Sequence, residues 1–191
     1  MTVEPERHRA KRRNMMGESR LVSDWVALAY PGRWWHLQFR VGQDPDFGAL
    51  GIVDEEERRQ MRNFNRRVDA VIEPPPDLVL IEAKMWDATS AIGRLKEYLL
   101  LLPATPEVKA WGPAPVVPVL LTGQDDPIAR VLCEREGIDY QFWEPPWIDD
   151  WYAAYPQRRR AAARSELTGA LVAAFDAGER ARRAGLPRRS G

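Results

Sequence analysis

Within residues 67–84, RVDAVIEPPPDLVLIEAK, two short apolar runs flank a proline-rich turn, with charged residues spaced so that a hairpin would gather them. With PPPD (residues 74–77) as a four-residue loop, the antiparallel register pairs Glu73 with Leu78, Asp69 with Glu82 and Arg67 with Lys84. Period-2 alternation then places Val68, Ala70, Ile72, Val79, Ile81 and Ala83 on one apolar face. Asp69, Val71, Leu80, Glu82 and Lys84 share the other. Two carboxylates meeting across a strand pair repel each other unless something positive joins them. They offer hard oxygen donors of the kind that hold Mg²⁺ or Mn²⁺ together with several waters. A lysine two residues beyond Glu82 on that face could orient or help deprotonate a metal-bound water and stabilise charge on a phosphorane-like transition state. That chemistry is phosphodiester hydrolysis. The alternative is a solvated sheet face on which Lys84 and Arg67 relieve the acid pair with no metal. The chain has one cysteine and two histidines, so no cluster of either competes as a metal site.

The elements that must position these residues follow from periodicity. From Gly17 the apolar positions Leu21, Val22, Trp25, Val26, Leu28 and Ala29 recur at helical spacing until Pro31-Gly32. WWHLQFRV (residues 34–41) alternates as a half-buried strand, with His36 as a surface residue. Residues 42–66 form a long insertion. In it Asp54 with Glu57 makes a capping-box start for a short helix. Arg58, Arg59, Arg62, Arg66 and Arg67 crowd the approach to Asp69. They read either as a phosphate-facing flap or as an exposed helix whose arginines pair with Glu55, Glu56 and Glu57.

Beyond the hairpin, Ala91, Ile92, Leu95, Leu99 and Leu102 line one side of a helix that stops at Pro103. VVPVLL (residues 116–121) is a strand that Pro118 makes irregular or open at that point. A helix follows, with Asp125 or Asp126 as N-cap, Pro127 at its first position and Gly137 at its end, and residues 138–143 are a further strand. Cys133, inside this helix, reads as a small buried side chain. WIDDWYAAY (residues 147–155) is a short aromatic helix against the core. A last amphipathic helix carries Leu167, Leu171, Val172 and Phe175. The alternation of strands and helices specifies an α/β fold with a mixed sheet.

The 191 residues, 45% of them hydrophobic, suffice for one ordinary core. The formal net charge of zero conceals a segregation. Residues 1–20 carry six basic against three acidic side chains, and residues 158–191 nine against three. The sequence therefore divides into a basic N-terminal arm (1–16), a core domain (17–144) and a C-terminal helical extension (145–191). The basic ends could neutralise phosphates, grip acidic protein surfaces or simply be solvated. No run approaches the ~20 apolar residues of a membrane span, and residues 1–14 lack the apolar stretch of a secretion signal. A cytoplasmic protein, or one held within a virion if phage-encoded, is expected.

Asp69 followed by Glu82-Ala83-Lys84 on a hairpin, between an upstream helix bearing Glu18 and a downstream helix, resembles the PD-(D/E)XK nuclease superfamily over residues 17–143. The resemblance implies a restriction-endonuclease-like core, a mixed four-stranded sheet flanked by helices. It also implies Asp69 and Glu82 as metal ligands, Lys84 as the catalytic lysine and Glu18 as a further acid at the metal. Arg94 and Tyr98 stand where RecB-like and Holliday-junction-resolvase-like members carry a QxxxY element, with Arg in place of Gln. Val68 precedes the Asp where Pro is common. The expected function is a Mg²⁺- or Mn²⁺-dependent DNA nuclease. The alternatives are a nuclease-fold structural subunit of a large assembly, such as a phage head-tail connector or packaging complex, gripping neighbours through residues 1–16 and 145–191, and a sequence-tolerant nucleic-acid binder without catalysis.

Overall fold

The computed structural model describes the backbone of residues 6–62 and 66–154, with side chains described from 16 to 60 and from 66 to 154. Its centre is a five-stranded sheet in the order β1 (Trp35–Val41), β2 (Arg66–Ile72), β3 (Leu78–Lys84), β4 (Val116–Thr122), β5 (Asp139–Phe142). The first three strands form an antiparallel meander, and β4 and β5 add in parallel. Parallel neighbours need crossovers. The chain makes them through α3 (Thr89–Leu101), a 3₁₀ turn (Leu102–Ala104) and α4 (Pro106–Trp111), then through α5 (Pro127–Glu136). The sheet has one strand more than the four the resemblance implies, and matches the five strands read from periodicity at 34–41, in the hairpin, at 116–121 and at 138–143.

Helices cover both faces. On one, α3 and α5 bury Ala91, Ile92, Leu95, Ala129 and Cys133 against Val71, Leu78, Leu80 and Leu120. On the other, Leu21, Val22, Trp25 and Val26 of α1 (Glu6–Ala29) pack with Ala70, Ile72, Val79, Ile81, Val119 and Leu121. Ile148 of α6 (Ile148–Ala153) joins that second cluster. Buried on both sides, β3 is inaccessible throughout its length, which suits its near-continuous apolar run.

Several local signals translate directly. Asp126 caps α5, accepting from the Ile128 and Ala129 amides at 3.0 Å each, with Pro127 at the first position and Gly137 in the left-handed region (φ 68°). Asp54 accepts from the Glu57 amide (3.0 Å) at the start of α2 (Glu55–Arg62). Pro118 is tolerated because β5 pairs with β4 only from Val119 onward.

Three expectations change. The segment read as a basic arm is helical from Glu6, a continuation of α1 favoured by its Arg, Lys, Ala and Met content. Residues 148–153, assigned to the extension, belong to the core domain through Ile148. The regular alternation of the first two strands fails in the middle. Trp35 packs with the α1 face but Phe39 with the α3 face, and Val68 joins Val71 rather than Ala70. Both reversals fall at Gln38, which has φ 51°, and at Asp69 beside it. The last amphipathic helix expected beyond residue 155 lies outside the described residues.

Candidate active site

The hairpin register is the one the sequence implies, with Ala70 opposite Ile81, Val71 opposite Leu80 and Ile72 opposite Val79. The ladder is shorter than expected and opens on either side of these pairs. Toward the loop, the Glu73 amide bonds to Trp34 O and the Leu78 amide to Pro115 O, so each turns to its outer neighbour instead of to the other. Arg33 anchors the loop, donating to the Asp77 carboxylate at 2.8 Å and to the Glu73 and Asp77 carbonyls. Toward the open end, Asp69 and Glu82 do not form a backbone pair, and neither do Arg67 and Lys84. The Asp69 side chain enters the gap: Oδ2 accepts from the Ala83 amide at 2.9 Å and Oδ1 from Gln38 Nε2 at 3.0 Å. An amide that the splayed strand would leave orphaned is thus satisfied by the carboxylate.

Lys84 gathers the other charges. Its Nζ donates to Glu82 Oε1 at 2.9 Å and to the Ala83 carbonyl at 2.7 Å, and lies 3.7 Å from Glu18 Oε1. Arg94 Nη1, projecting from α3, reaches the same Glu82 oxygen at 3.1 Å. Tyr98, one turn further, donates its hydroxyl to the Arg67 carbonyl at 2.9 Å and so ties α3 to the start of β2. Glu82 is 1% exposed, yet its second oxygen, Oε2, is buried with no hydrogen-bond partner.

The electrostatics follow from burial and from an excess of carboxylates. Burial pushes the Glu18 carboxyl up to about 7; Lys84 opposes this, while Asp69 and Glu82 add to it. Burial and then the Asp69 charge raise Glu82 against the pull of Lys84 and Arg94. Burial disfavours the Lys84 ammonium, but Glu82, Glu18 and Asp69 together outweigh it and hold its pKa above the ordinary lysine value. Lys84 therefore remains a cation at neutral pH.

Glu18, Asp69, Glu82 and Lys84 thus share one electrostatic neighbourhood at the C-terminal end of β3, with Arg94 and Tyr98 on its α3 side. Among the described residues no group of three acidic, histidine or cysteine side chains comes together closely enough to hold a metal ion. Among these acids the Lys84 ammonium, bonded to Glu82 and close to Glu18, and the Arg94 guanidinium, bonded to Glu82, supply the positive charge.

Among the described residues, three of the arginines ahead of Asp69 are held in ion pairs. Arg58 pairs with Glu55 (3.8 Å) and donates to the Ile52 carbonyl, and Arg59 pairs with Glu56 (2.5 Å). Arg66 pairs with Glu97 at 2.7 Å, and Arg67 is exposed. Helical spacing decides this, because Glu55 and Glu56 stand three residues before Arg58 and Arg59 on the same face. The side chain of Arg62 lies outside the described residues. Sequence reasoning missed Gln38, which fixes Asp69. The polar residue in an alternating strand gave no sign of its positive φ, and only the β1–β2 register places it beside the acid.

No helix among the described residues is long and apolar enough to cross a membrane. No protein-family model matches the chain, and no curated protein matches it either. In structure it is similar to a repair endonuclease from Pyrococcus abyssi, with 18% identity, a TM-score of 0.37, and coverage of 76% of this chain and 50% of that one. A protein of unknown function is similar at 14% identity and a TM-score of 0.38, covering 71% of this chain and 61% of that one. The chain therefore spans only about half to three fifths of the length of these neighbours.

Proposed function

We propose that the protein is a metal-dependent DNA nuclease of the PD-(D/E)XK type, with the reacting phosphate bound at the open end of the β2–β3 hairpin. The observation that carries this reading is the buried, unpartnered Oε2 of Glu82 beside Asp69, Glu18 and Lys84. A buried carboxylate oxygen with no donor is unfavourable, and an incoming cation would satisfy it. The donors are all hard oxygens, and few of them are within reach. That suits Mg²⁺ or Mn²⁺, which keep several waters and take one or two carboxylates.

Asp69 and Glu82 would hold the ion, with Glu18 as a further acid beside them. Gln38 Nε2 and the Ala83 amide fix the Asp69 carboxylate in place. Lys84, cationic at neutral pH, would donate from Nζ to a phosphate oxygen and offset charge building there. Without a metal, burial holds the Glu18 carboxyl at about 7; a cation bound beside it would favour its ionised form. The metal when bound supplies Lewis acidity and an activated water.

Plasmid, single-stranded and branched DNA should each be incubated with Mg²⁺ or Mn²⁺. Cleavage should appear on at least one form and fall at least 100-fold in Glu82→Ala and in Lys84→Ala, while Mn²⁺ raises the melting temperature of the wild type and not of Glu82→Ala. Absence of metal-dependent cleavage on every DNA form, with no Mn²⁺ effect on melting, would reject the proposal. That outcome would favour a nuclease fold used without cleavage, a reading supported by the way Lys84 and Arg94 already neutralise Glu82 Oε1. The terminal segments through which such a subunit would grip its neighbours lie mostly outside the described residues.

A further inference from the structure

An aromatic wall stands beside the charged cluster. Trp86 follows Lys84 by two residues, and its ring meets Tyr152 at 4.6 Å (interplanar 64°) and Trp151 at 5.7 Å. Trp151 and Tyr152 come from α6, and their own rings are 5.4 Å apart. All three are half-buried rather than enclosed. The Tyr152 hydroxyl donates to the Met85 carbonyl at 3.1 Å, pinning α6 to the residue just after Lys84.

Two glycines admit α6 to this position. A Cβ on Gly17 would stand 2.8 Å from the Trp151 ring, and Gly17 is the immediate neighbour of Glu18. A Cβ on Gly123, which follows β4, would stand 2.9 Å from Ile148 Cδ1 and 3.1 Å from the Tyr152 hydroxyl. The wall is thus seated at the C-terminal ends of β3 and β4, where ligands bind in open α/β sheets.

The chemistry of the wall is unlike that of an ordinary core. A buried tryptophan N–H normally finds an acceptor, but Trp86 Nε1 is buried without one. On α6 itself Asp149 and Asp150 are acidic; the sequence that follows, outside the described residues, is strongly basic, with Arg158, Arg159, Arg160 and Arg164 and nine basic against three acidic side chains over residues 158–191. Stacking faces combined with cationic chain are the means by which single-stranded nucleic acid is bound without sequence preference. A duplex keeps its bases stacked on one another and has none to offer.

We propose that Trp86, with Trp151 and Tyr152, stacks an unpaired base of the bound nucleic acid, so that the substrate of the Glu82–Lys84 site is single-stranded or locally unpaired DNA. This rests on the nuclease reading for the word substrate, but the stacking site itself does not require cleavage.

The test is therefore binding in EDTA, by fluorescence anisotropy of a labelled 20-nucleotide thymidine oligomer and of a blunt 20-base-pair duplex, with the full chain. Wild type should bind the oligomer at least tenfold more tightly than the duplex. Trp86→Leu, which keeps apolar volume but removes the π face, should weaken oligomer binding about tenfold, and Trp86→Phe should restore it to within about threefold. Equal affinity for the two DNA forms, or an equal loss on Trp86→Leu and Trp86→Phe, would overturn the stacking wall. So would capture of a protein partner by this face with no binding of the oligomer. If Mg²⁺-dependent cleavage of blunt duplex is found without any preference for the oligomer, the wall fails and the nuclease reading stands. If the oligomer is preferred and nothing is cleaved, the wall stands and the nuclease reading fails.

Discussion

Lys84 and Glu82 form a buried ion pair, and without Lys84 the carboxylates of Glu82 and Glu18 would share only Arg94 as a counter-charge. Removing one partner of such a pair costs about 3 kcal/mol or more. Lys84→Met should therefore destabilise the protein by about 3 kcal/mol at pH 8. The loss should be smaller at pH 5, because burial and crowding already incline Glu82 and Glu18 to protonate. Urea unfolding at the two pH values measures the difference. Glu18 makes a separate prediction. Its carboxyl has a folded value of about 7 against an ordinary 4.5, so the folded chain holds the proton more tightly than the unfolded chain does. The stability this contributes is complete below the unfolded value and is lost as pH rises through the folded one. In EDTA, stability should fall by roughly 3 kcal/mol between pH 4.5 and 8, and Glu18→Gln should flatten that slope. A slope identical in wild type and Glu18→Gln would show that Glu18 is not the group responsible.

At the scale of elements, the hairpin owes its opening to Asp69. Both faces of β3 are buried and apolar, so the apolar run by itself would tolerate a one-residue slip, and it is the placement of Asp69, Glu82 and Lys84 that distinguishes the two faces. At the opening, a carboxylate that accepts the Ala83 amide replaces a backbone carbonyl, and the positive φ of Gln38 turns β1 at that level. Nothing in the alternation of residues 34–41 announces this, which is why the faces of Val68 and Phe39 are misassigned by periodicity alone. The seating of α6 is equally a matter of fit. Gly17→Val would drive a branched side chain into the Trp151 ring, which is rigid and already within 2.8 Å of an ideal Cβ. A destabilisation of about 1–3 kcal/mol is expected, with a shift in tryptophan emission. If the variant matched wild type in both urea midpoint and emission, the close packing of α6 on α1 would be refuted.

At the scale of the molecule, one sheet carries two cores. Leu80 faces α3 and Ile81 faces α1, both fully buried on adjacent positions of the central strand. Leu80→Ala and Ile81→Ala should each lower stability by about 2–5 kcal/mol. In both variants the circular dichroism and tryptophan fluorescence transitions should coincide, because neither layer has a sheet of its own to retain. Separated transitions in either variant would mean that the layers unfold independently.

The α/β class, the order of the elements apart from α4 and the 3₁₀ turn before it, the caps of α2 and α5, and the grouping of Asp69, Glu82 and Lys84 on one hairpin were determined by the sequence alone. These depend on local propensity and on periods of 2 and 3.6 residues, which neighbouring residues carry. The splayed ladder at Asp69, Gln38 as its partner and the surplus of buried carboxylates around Lys84 were decided by the tertiary structure. So was the pairing of Arg66 with Glu97, which stands 31 positions away. Each of these depends on which segments lie side by side, and no local pattern encodes that. Burial is what turns the motif's charges into chemistry: desolvation, helped by Asp69 and Glu82 and opposed by Lys84, carries the Glu18 carboxyl to about 7.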